Sequence, residues 1–202
     1  MKKLGIFMAE GCEMIEGLAV VDVVRRTGEM EIITIALGET KEVTSSHNVT
    51  FLADVLISDV NFEELDGIVL PGGMPGTLNL GANETVNAVV KKFAEEGKLV
   101  AAICAAPSVL GAAGILEGRH ATCHPGFEEK LIGATCLEDA VVIDGHIVTS
   151  RGLGTAVDFG LAIVWLMLDD EAVEKVKKSI VYDIQWEVVS ENEEVYKEAS
   201  DT

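Results

Sequence analysis

The run Leu99-Val100-Ala101-Ala102-Ile103 is apolar at every position, and Cys104-Ala105-Ala106-Pro107 follows at once. A strand without polar alternation has to be buried on both faces, so it belongs inside a parallel sheet with helices covering each side. Pro107 suits the first turn of a helix, where a missing N–H costs no hydrogen bond, and Leu110 falls on that helix's apolar face. Cys104 therefore lies on the turn from strand to helix. Such a turn lifts one side chain above the sheet edge and aims the next backbone N–H at whatever that side chain attacks. Ala105 and Ala106 leave room for it. The competing reading is an inert core cysteine at the end of a buried strand.

The rest of the chain repeats this alternation. The apolar run after Lys2-Lys3 reads as a first strand, Glu10 to Glu13 as a loop, and Met14 to Arg26 as a helix with Leu18, Val21, Ile15 and Val24 toward the sheet and Gly28 closing it. Glu31 to Leu37 is a second strand. Lys41–Thr44 and Val49–Leu52 form a small hairpin, with Asp54 to Glu64 left as loop. Asp66 to Leu70 is the next sheet strand and ends in Pro71-Gly72-Gly73, and Asn83 caps a helix running to Glu96. Beyond Cys104, a short strand leads into the His124 loop, and Phe127 to Ile132 is a short helix. Asp144-Gly145 turns a β-hairpin. Thr155 and Asp158 open a helix through Leu168 as a capping box, that helix is apolar nearly all round, and Glu171 to Ser179 is amphipathic. Strands alternating with helices predict an α/β sandwich with ligands at the carboxyl ends of the strands.

The 202 residues suit one domain, expected over 1–184, with an acidic and frayed tail over 185–202. Thirty-four acidic against fifteen basic residues give a formal charge of -19, which disfavours nucleic acid and anionic membrane surfaces as partners. Lys2 and Lys3 precede an apolar run too short for a signal peptide, and Leu161–Leu168 is too short to span a membrane. Four cysteines without a C-x-x-C pair give no zinc signature, and free thiols in a reducing cytoplasm are the expectation.

A thiol nucleophile has to ionise, and an ordinary cysteine with pKa about 8.5 is only slightly ionised at neutral pH. Glu16, in the first turn of its helix, supplies a hydrogen bond to a thiolate if it stays protonated, although Glu10 and Glu13 share its loop. Its plainer reading is a glutamate favoured by the helix dipole. His124 is the histidine best placed by chain order to act as base or acid; otherwise it is a loop histidine bound to a carbonyl. Gly72 and Gly73 offer an N–H opposite that of Ala105 for a developing oxyanion, or are a plain turn. His47 is expected at an exposed hairpin tip, and His120 and His146 at edge or hairpin positions. Cys12, Cys123 and Cys136 are assigned to packing or incidental exposure, with Cys123 the secondary oxidation site because it adjoins His124.

Several of these segments resemble one family. Glu13-Met14-Ile15-Glu16, Val23 to Gly28, Val69 to Gly73, Ala101 to Pro107, Cys123-His124-Pro125 and Thr149 to Thr155 are, in order, similar to the ThiJ/PfpI superfamily and its parkinsonism-associated deglycase (DJ-one) branch. The resemblance implies a flavodoxin-like three-layer α/β/α sandwich with a mostly parallel central sheet, a homodimer, Cys104 as the reactive and oxidisable thiol, Glu16 as its protonated partner and His124 nearby. The expected chemistry of Cys104 needs no metal or organic cofactor. The activities the resemblance brings are conversion of methylglyoxal to lactate, deglycation of methylglyoxal adducts, and oxidative-stress sensing or chaperone behaviour. Ala105 stands where the protease-named branch has histidine, which counts against peptidase activity, and His47 stands where an arginine is often found near the site. The expected function is a cysteine-dependent glyoxalase or deglycase acting on a small reactive aldehyde or glycated adducts. The alternatives are a redox sensor that oxidises Cys104 without turnover, and a glutaminase-like amidohydrolase.

Overall fold

The computed structural model describes residues 1–182 and the short strand Val189–Ser190. In chain order the elements are β1 (Lys2–Met8), α1 (Met14–Arg26), β2 (Met30–Ala36), β3 (Glu42–Thr44), β4 (Thr50–Leu52), β5 (Val55–Leu56), β6 (Gly67–Leu70), α2 (Gly76–Ala82) and α3 (Glu84–Glu95). They continue with β7 (Leu99–Ile103), α4 (Pro107–Ala112), β8 (His120–Ala121), β9 (Thr135–Cys136), β10 (Val141–Asp144), β11 (Ile147–Ser150), α5 (Ala156–Met167), α6 (Asp170–Ser179) and β12 (Val189–Ser190). The central sheet runs β12-β10-β11-β7-β6-β1-β2-β5, and only the β10–β11 neighbours are antiparallel. This is the flavodoxin-like α/β sandwich. Among the described residues no helix is long and apolar enough to cross a membrane.

The reason β7 is apolar throughout lies in its two faces. Ala101 and Ile103 join Ile6, Met8, Val69 and Val148 in a core closed by α1 and α5, while Val100 and Ala102 join Phe7, Ile68, Leu70 and Ile147 in a core closed by α3 and α4. Alternate residues of each strand serve opposite layers, so every position has to be apolar. The adjacent strands β11, β7, β6 and β1 run parallel and open their carboxyl ends on one crevice.

Helix α1 lies as the sequence predicts in its limits but is turned about its axis. Ile15 and Leu18 are 44% and 36% exposed, whereas Glu16, Gly17, Val20, Val21, Val23 and Val24 are buried. The cause is packing on two sides. A Cβ on Gly17 would stand 2.7 Å from the Met8 side chain, and one on Gly160 of α5 would stand 3.1 Å from Val23. Both glycines let the backbones approach closely, and the resulting roll carries Glu16 inward.

Other expectations are corrected. Val55–Leu56, read as loop, adds an edge strand to β2, and α2 forms directly after the glycine loop. The predicted helix over Phe127 to Ile132 is a single turn of 3-10 helix at Glu128–Lys130. No capping box forms between Thr155 and Asp158: Thr155 Oγ1 donates to Gly152 O at 2.9 Å, and Asp158 accepts from the Tyr182 hydroxyl. The strand at Val189–Ser190 pairs with β10 inside the stretch expected as tail. The remainder of 185–202 lies outside the described residues.

Candidate active site

Cys104 is the residue at which β7 breaks, and its backbone lies in the left-handed region at φ 67. That conformation is uncommon for a residue with a Cβ and costs on the order of 1–2 kcal/mol, so neighbours have to hold it. They do so from the end of β11 and from the His124 loop. The Cys104 N–H donates to Ser150 O at 2.9 Å, and its carbonyl accepts from the N–H of His124 at 2.8 Å. Clamped in this way, the turn lifts the thiol off the sheet edge and toward α1.

There it meets Glu16, which is 1% exposed. Glu16 hydrogen-bonds the Cys104 thiol, and its Oε2 accepts from the N–H of Gly72 at 2.9 Å. Burial raises the Glu16 pKa, against the hydrogen bonds from Cys104 and Gly72. Burial, the Glu16 charge and the hydrogen bond to Glu16 push the Cys104 thiol up to about 12, opposed by the N–H groups of Gly73 and Ala105, which point at the sulfur. Two acids in contact in a buried site do not both become anions at neutral pH, so the pair carries at most one negative charge, with a proton held between sulfur and carboxyl. The Gly73 and Ala105 donors draw that charge to sulfur, and the Gly72 donor draws it to Glu16. The raised Glu16 pKa favours the state in which the carboxyl keeps its proton. The arrangement can supply a thiolate, a proton beside it and two backbone donors.

Glycines make the room. A Cβ on Gly72 would lie 2.6 Å from Cys104 Cβ and 2.7 Å from Glu16 Oε2, and one on Gly73, at φ 89, would lie 2.2 Å from Glu13 N. Of the two, Gly72 gives its N–H to Glu16, so Gly73 and Ala105 are the pair aimed at sulfur.

His124 sits exposed at the rim, with Nδ1 2.9 Å from the carbonyl of Pro125 and its ring edge-on to Phe127. If Nδ1 donates there, the neutral ring leaves Nε2 as its acceptor. The neighbouring acids are engaged elsewhere. Glu10 accepts from Thr44 N at 2.9 Å, and Glu13 caps α1 through Ile15 N at 3.3 Å while lying 3.1 Å from His47 Nδ1. His47 is 72% exposed on the hairpin turn, as the sequence predicts. His120 and His146 flank the β10–β11 turn, at the opposite end of β11 from Ser150; burial and Arg119 lower the His146 pKa.

The sequence reading missed Gly152. A Cβ there would lie 3.6 Å from His124, 3.7 Å from Glu16 Oε1 and 3.9 Å from Cys104 Sγ, so this buried residue packs where three candidate residues converge. Its signal was available: it stands, like Gly72, directly past the end of a sheet strand. Among the described residues no group of three or more His, Cys, Asp or Glu is placed to hold a metal ion.

Comparison with known proteins gives relatives with this fold. The model of the DJ-1/PfpI family matches residues 2–166. Protein DJ-1 homolog B of Arabidopsis thaliana is 42% identical over 183 residues, covering 89% of this chain and 41% of that protein. The glutathione-independent glyoxalase DJR-1.2 of Caenorhabditis elegans is 34% identical, covering 85% of this chain and 91% of that protein. The solved structure of Toxoplasma gondii DJ-1, oxidized, superposes with a TM-score of 0.87 at 33% identity, covering 91% and 100% of the two chains. The chain spans under half the length of the two Arabidopsis relatives, 41% and 46%.

Proposed function

Because this chain belongs to the DJ-1/PfpI family, we propose that Cys104 is the nucleophile of a glyoxalase or deglycase acting on methylglyoxal or its adducts, with no cofactor required. The observation that carries this reading is the Cys104–Glu16 pair, one thiol and one carboxyl sharing a proton beneath two N–H donors. The glyoxalase name of the nematode relative supports the substrate class.

In this reading the Cys104 thiolate adds to the aldehyde carbon, and the carbonyl oxygen gathers the negative charge that leaves sulfur. The N–H groups of Gly73 and Ala105 then hold that oxygen, and Glu16 gives it a proton to form the hemithioacetal. The Glu16 carboxylate next removes the proton from the former aldehyde carbon, the hemithioacetal hydroxyl passes its proton to the former ketone oxygen, and return of the first proton to the adjacent carbon leaves a lactoyl thioester on Cys104. His124 assists the proton transfers. Water cleaves the thioester, which releases lactate and restores the thiol. The sum is methylglyoxal plus water giving lactate and a proton, with no net oxidation. Gly72 contributes by holding Glu16, and Gly152 by leaving room where His124, Glu16 and Cys104 converge.

A second reading has its own support. The same N–H groups and the Glu16 proton suit the oxygens of an oxidised Cys104, and a relative is known in a form named oxidized. A stress sensor or chaperone would need no turnover. Lactate formation from methylglyoxal by freshly reduced wild type and Cys104→Ser separates the two readings: product from the wild type alone supports the enzyme, and product from neither moves sensing to first place. The homodimer belongs to the same proposal, with Ile15 and Leu18 exposed on α1 as apolar surface for it; sedimentation velocity gives the mass.

A further inference from the structure

A second thiol pair lies outside the candidate site. Cys123 follows β8 and Cys136 ends β9; these two strands make a separate parallel ribbon in which Ala121 stands opposite Cys136 and Leu137 N donates to Ala121 O at 2.8 Å. The ribbon brings the two thiols into hydrogen-bond contact, Cys123 donating to Cys136. Both are free. Their burial differs: Cys123 is 3% exposed, while Cys136 is open to solvent. The secondary oxidation expected at Cys123 thus has its entry point at Cys136. We propose that Cys123 and Cys136 are a modification site, oxidised by hydroperoxides to a reversible intrachain disulfide.

The chemistry follows from who is exposed and who donates. The Cys136 sulfur attacks the outer oxygen of the hydroperoxide; the O–O bond breaks, an alcohol or water leaves, and Cys136 becomes a sulfenic acid. Cys123, already beside it, then attacks that sulfur, gives up its proton and expels the hydroxyl as water. One peroxide is reduced by two electrons and two thiols are oxidised to one disulfide. Burial raises both thiol pKa values, Cys123 to about 12; Glu128 opposes and Arg151 favours ionisation of both, Glu138 opposes it at Cys136, and the hydrogen bond from Cys123 favours charge on Cys136 alone, so the exposed sulfur is the attacking one. Arg151 is held in place by its bond to Glu138 O at 2.7 Å. A disulfide requires a sulfur separation of about 2.05 Å, and β9, two residues long and exposed, is the strand free to adjust. Cys123 immediately precedes His124, whose N–H clamps the Cys104 turn, so the pair's redox state bears on the neighbouring site.

Trypsin separates all the relevant thiols, because Lys98, Arg119, Lys130 and Arg151 put Cys104, Cys123 and Cys136 in different peptides. The full chain and its Cys104→Ser and Cys136→Ser variants are treated with one equivalent of hydrogen peroxide, blocked with iodoacetamide and digested without reductant. The expected result is a linked pair of peptides 120–130 and 131–151 in the wild type and in Cys104→Ser, two mass units below their sum, cleaved by dithiothreitol and absent from Cys136→Ser. Recovery of peptide 120–130 with an alkylated thiol while Cys136 carries two or three oxygens overturns the proposal. So does a crosslink that always includes Cys104.

Discussion

Cys12 and Cys104 follow neighbouring regions of one crevice, and burial pushes both thiols up to about 12, yet their surroundings differ in kind. Cys12 is fully enclosed between β1 and α1, and the further influences on it from Glu13, Glu10 and Glu16 are repulsive. Cys104 is half-buried, is held in a left-handed turn, and faces a carboxyl that shares its proton and two N–H groups aimed at its sulfur. Enclosure by itself makes an inert thiol. What distinguishes Cys104 is a neighbour able to keep the proton when the sulfur takes the charge.

The sharpest break of this comparison is substitution of each cysteine. Cys104→Ser is expected to lower lactate formation about 10³-fold or more and to remove the rapid phase of iodoacetamide labelling. Cys12→Ala should stay within about tenfold of wild type and cost about 1 kcal/mol in urea unfolding. Equal losses in the two variants would mean that the crevice is needed only as structure. Next in size, Glu16→Gln is expected to slow turnover by about 10²-fold or more, the range for a general acid or base. Its labelling of Cys104 against pH should show one ionisation where the coupled pair shows two; an unchanged profile removes Glu16 from the pair.

Gly73→Ala touches both cysteines at once. A Cβ at 2.2 Å from Glu13 N and 2.6 Å from the Cys12 carbonyl carbon, on a backbone at φ 89, forces the loop off both, with an expected loss of about 1–3 kcal/mol in urea unfolding. Wild-type stability with Gly73→Ala would show that this loop relaxes freely. Glu16→Gln has a smaller effect on stability, with a defined sign. A folded-state pKa raised by burial gives stability that is complete below the unfolded value of about 4.3 and is lost as pH rises through the folded value. The variant should therefore gain in Tm relative to wild type on going from pH 4 to pH 8, and a constant difference across that range argues against a raised pKa. The smallest effect is expected of Gly152→Ala, whose Cβ meets ordinary contact distances of 3.6–3.9 Å. Folding should be unaffected and kcat/KM a few-fold lower through the added methyl beside His124, Glu16 and Cys104, seen as a change in KM more than in kcat.

Much of this was legible along the chain. The apolar run before Cys104, the Pro107 start, the Asn83 cap onto Val86 N at 3.1 Å and the Asp144-Gly145 turn at φ 62 depend on local chemistry, and each stands where the residues predict it. The edge strand Val55–Leu56 was not legible, because two residues carry no period and gain strand character only by pairing with Ile35 and Ala36. Nor was the opening of α5, where Thr155 turns back to the carbonyl of Gly152 and Asp158 turns to Tyr182.

The sequence by itself determined the alternation of strands and helices, hence a parallel sheet, and it determined that Cys104 falls on a strand-to-helix turn, because these follow from hydrophobic period and turn chemistry over a few residues. The resemblance pointed to Glu16 as the partner of that cysteine, and only the tertiary structure supplied the physical reason that this glutamate meets it. Glu10, Glu13 and Glu16 share one loop and one helix start. The choice among them rests on the roll of α1, which Gly17 against Met8 and Gly160 against Val23 fix from two sides. Those contacts join residues far apart in the chain, and a helix buried on two sides has no single apolar stripe from which its roll can be read.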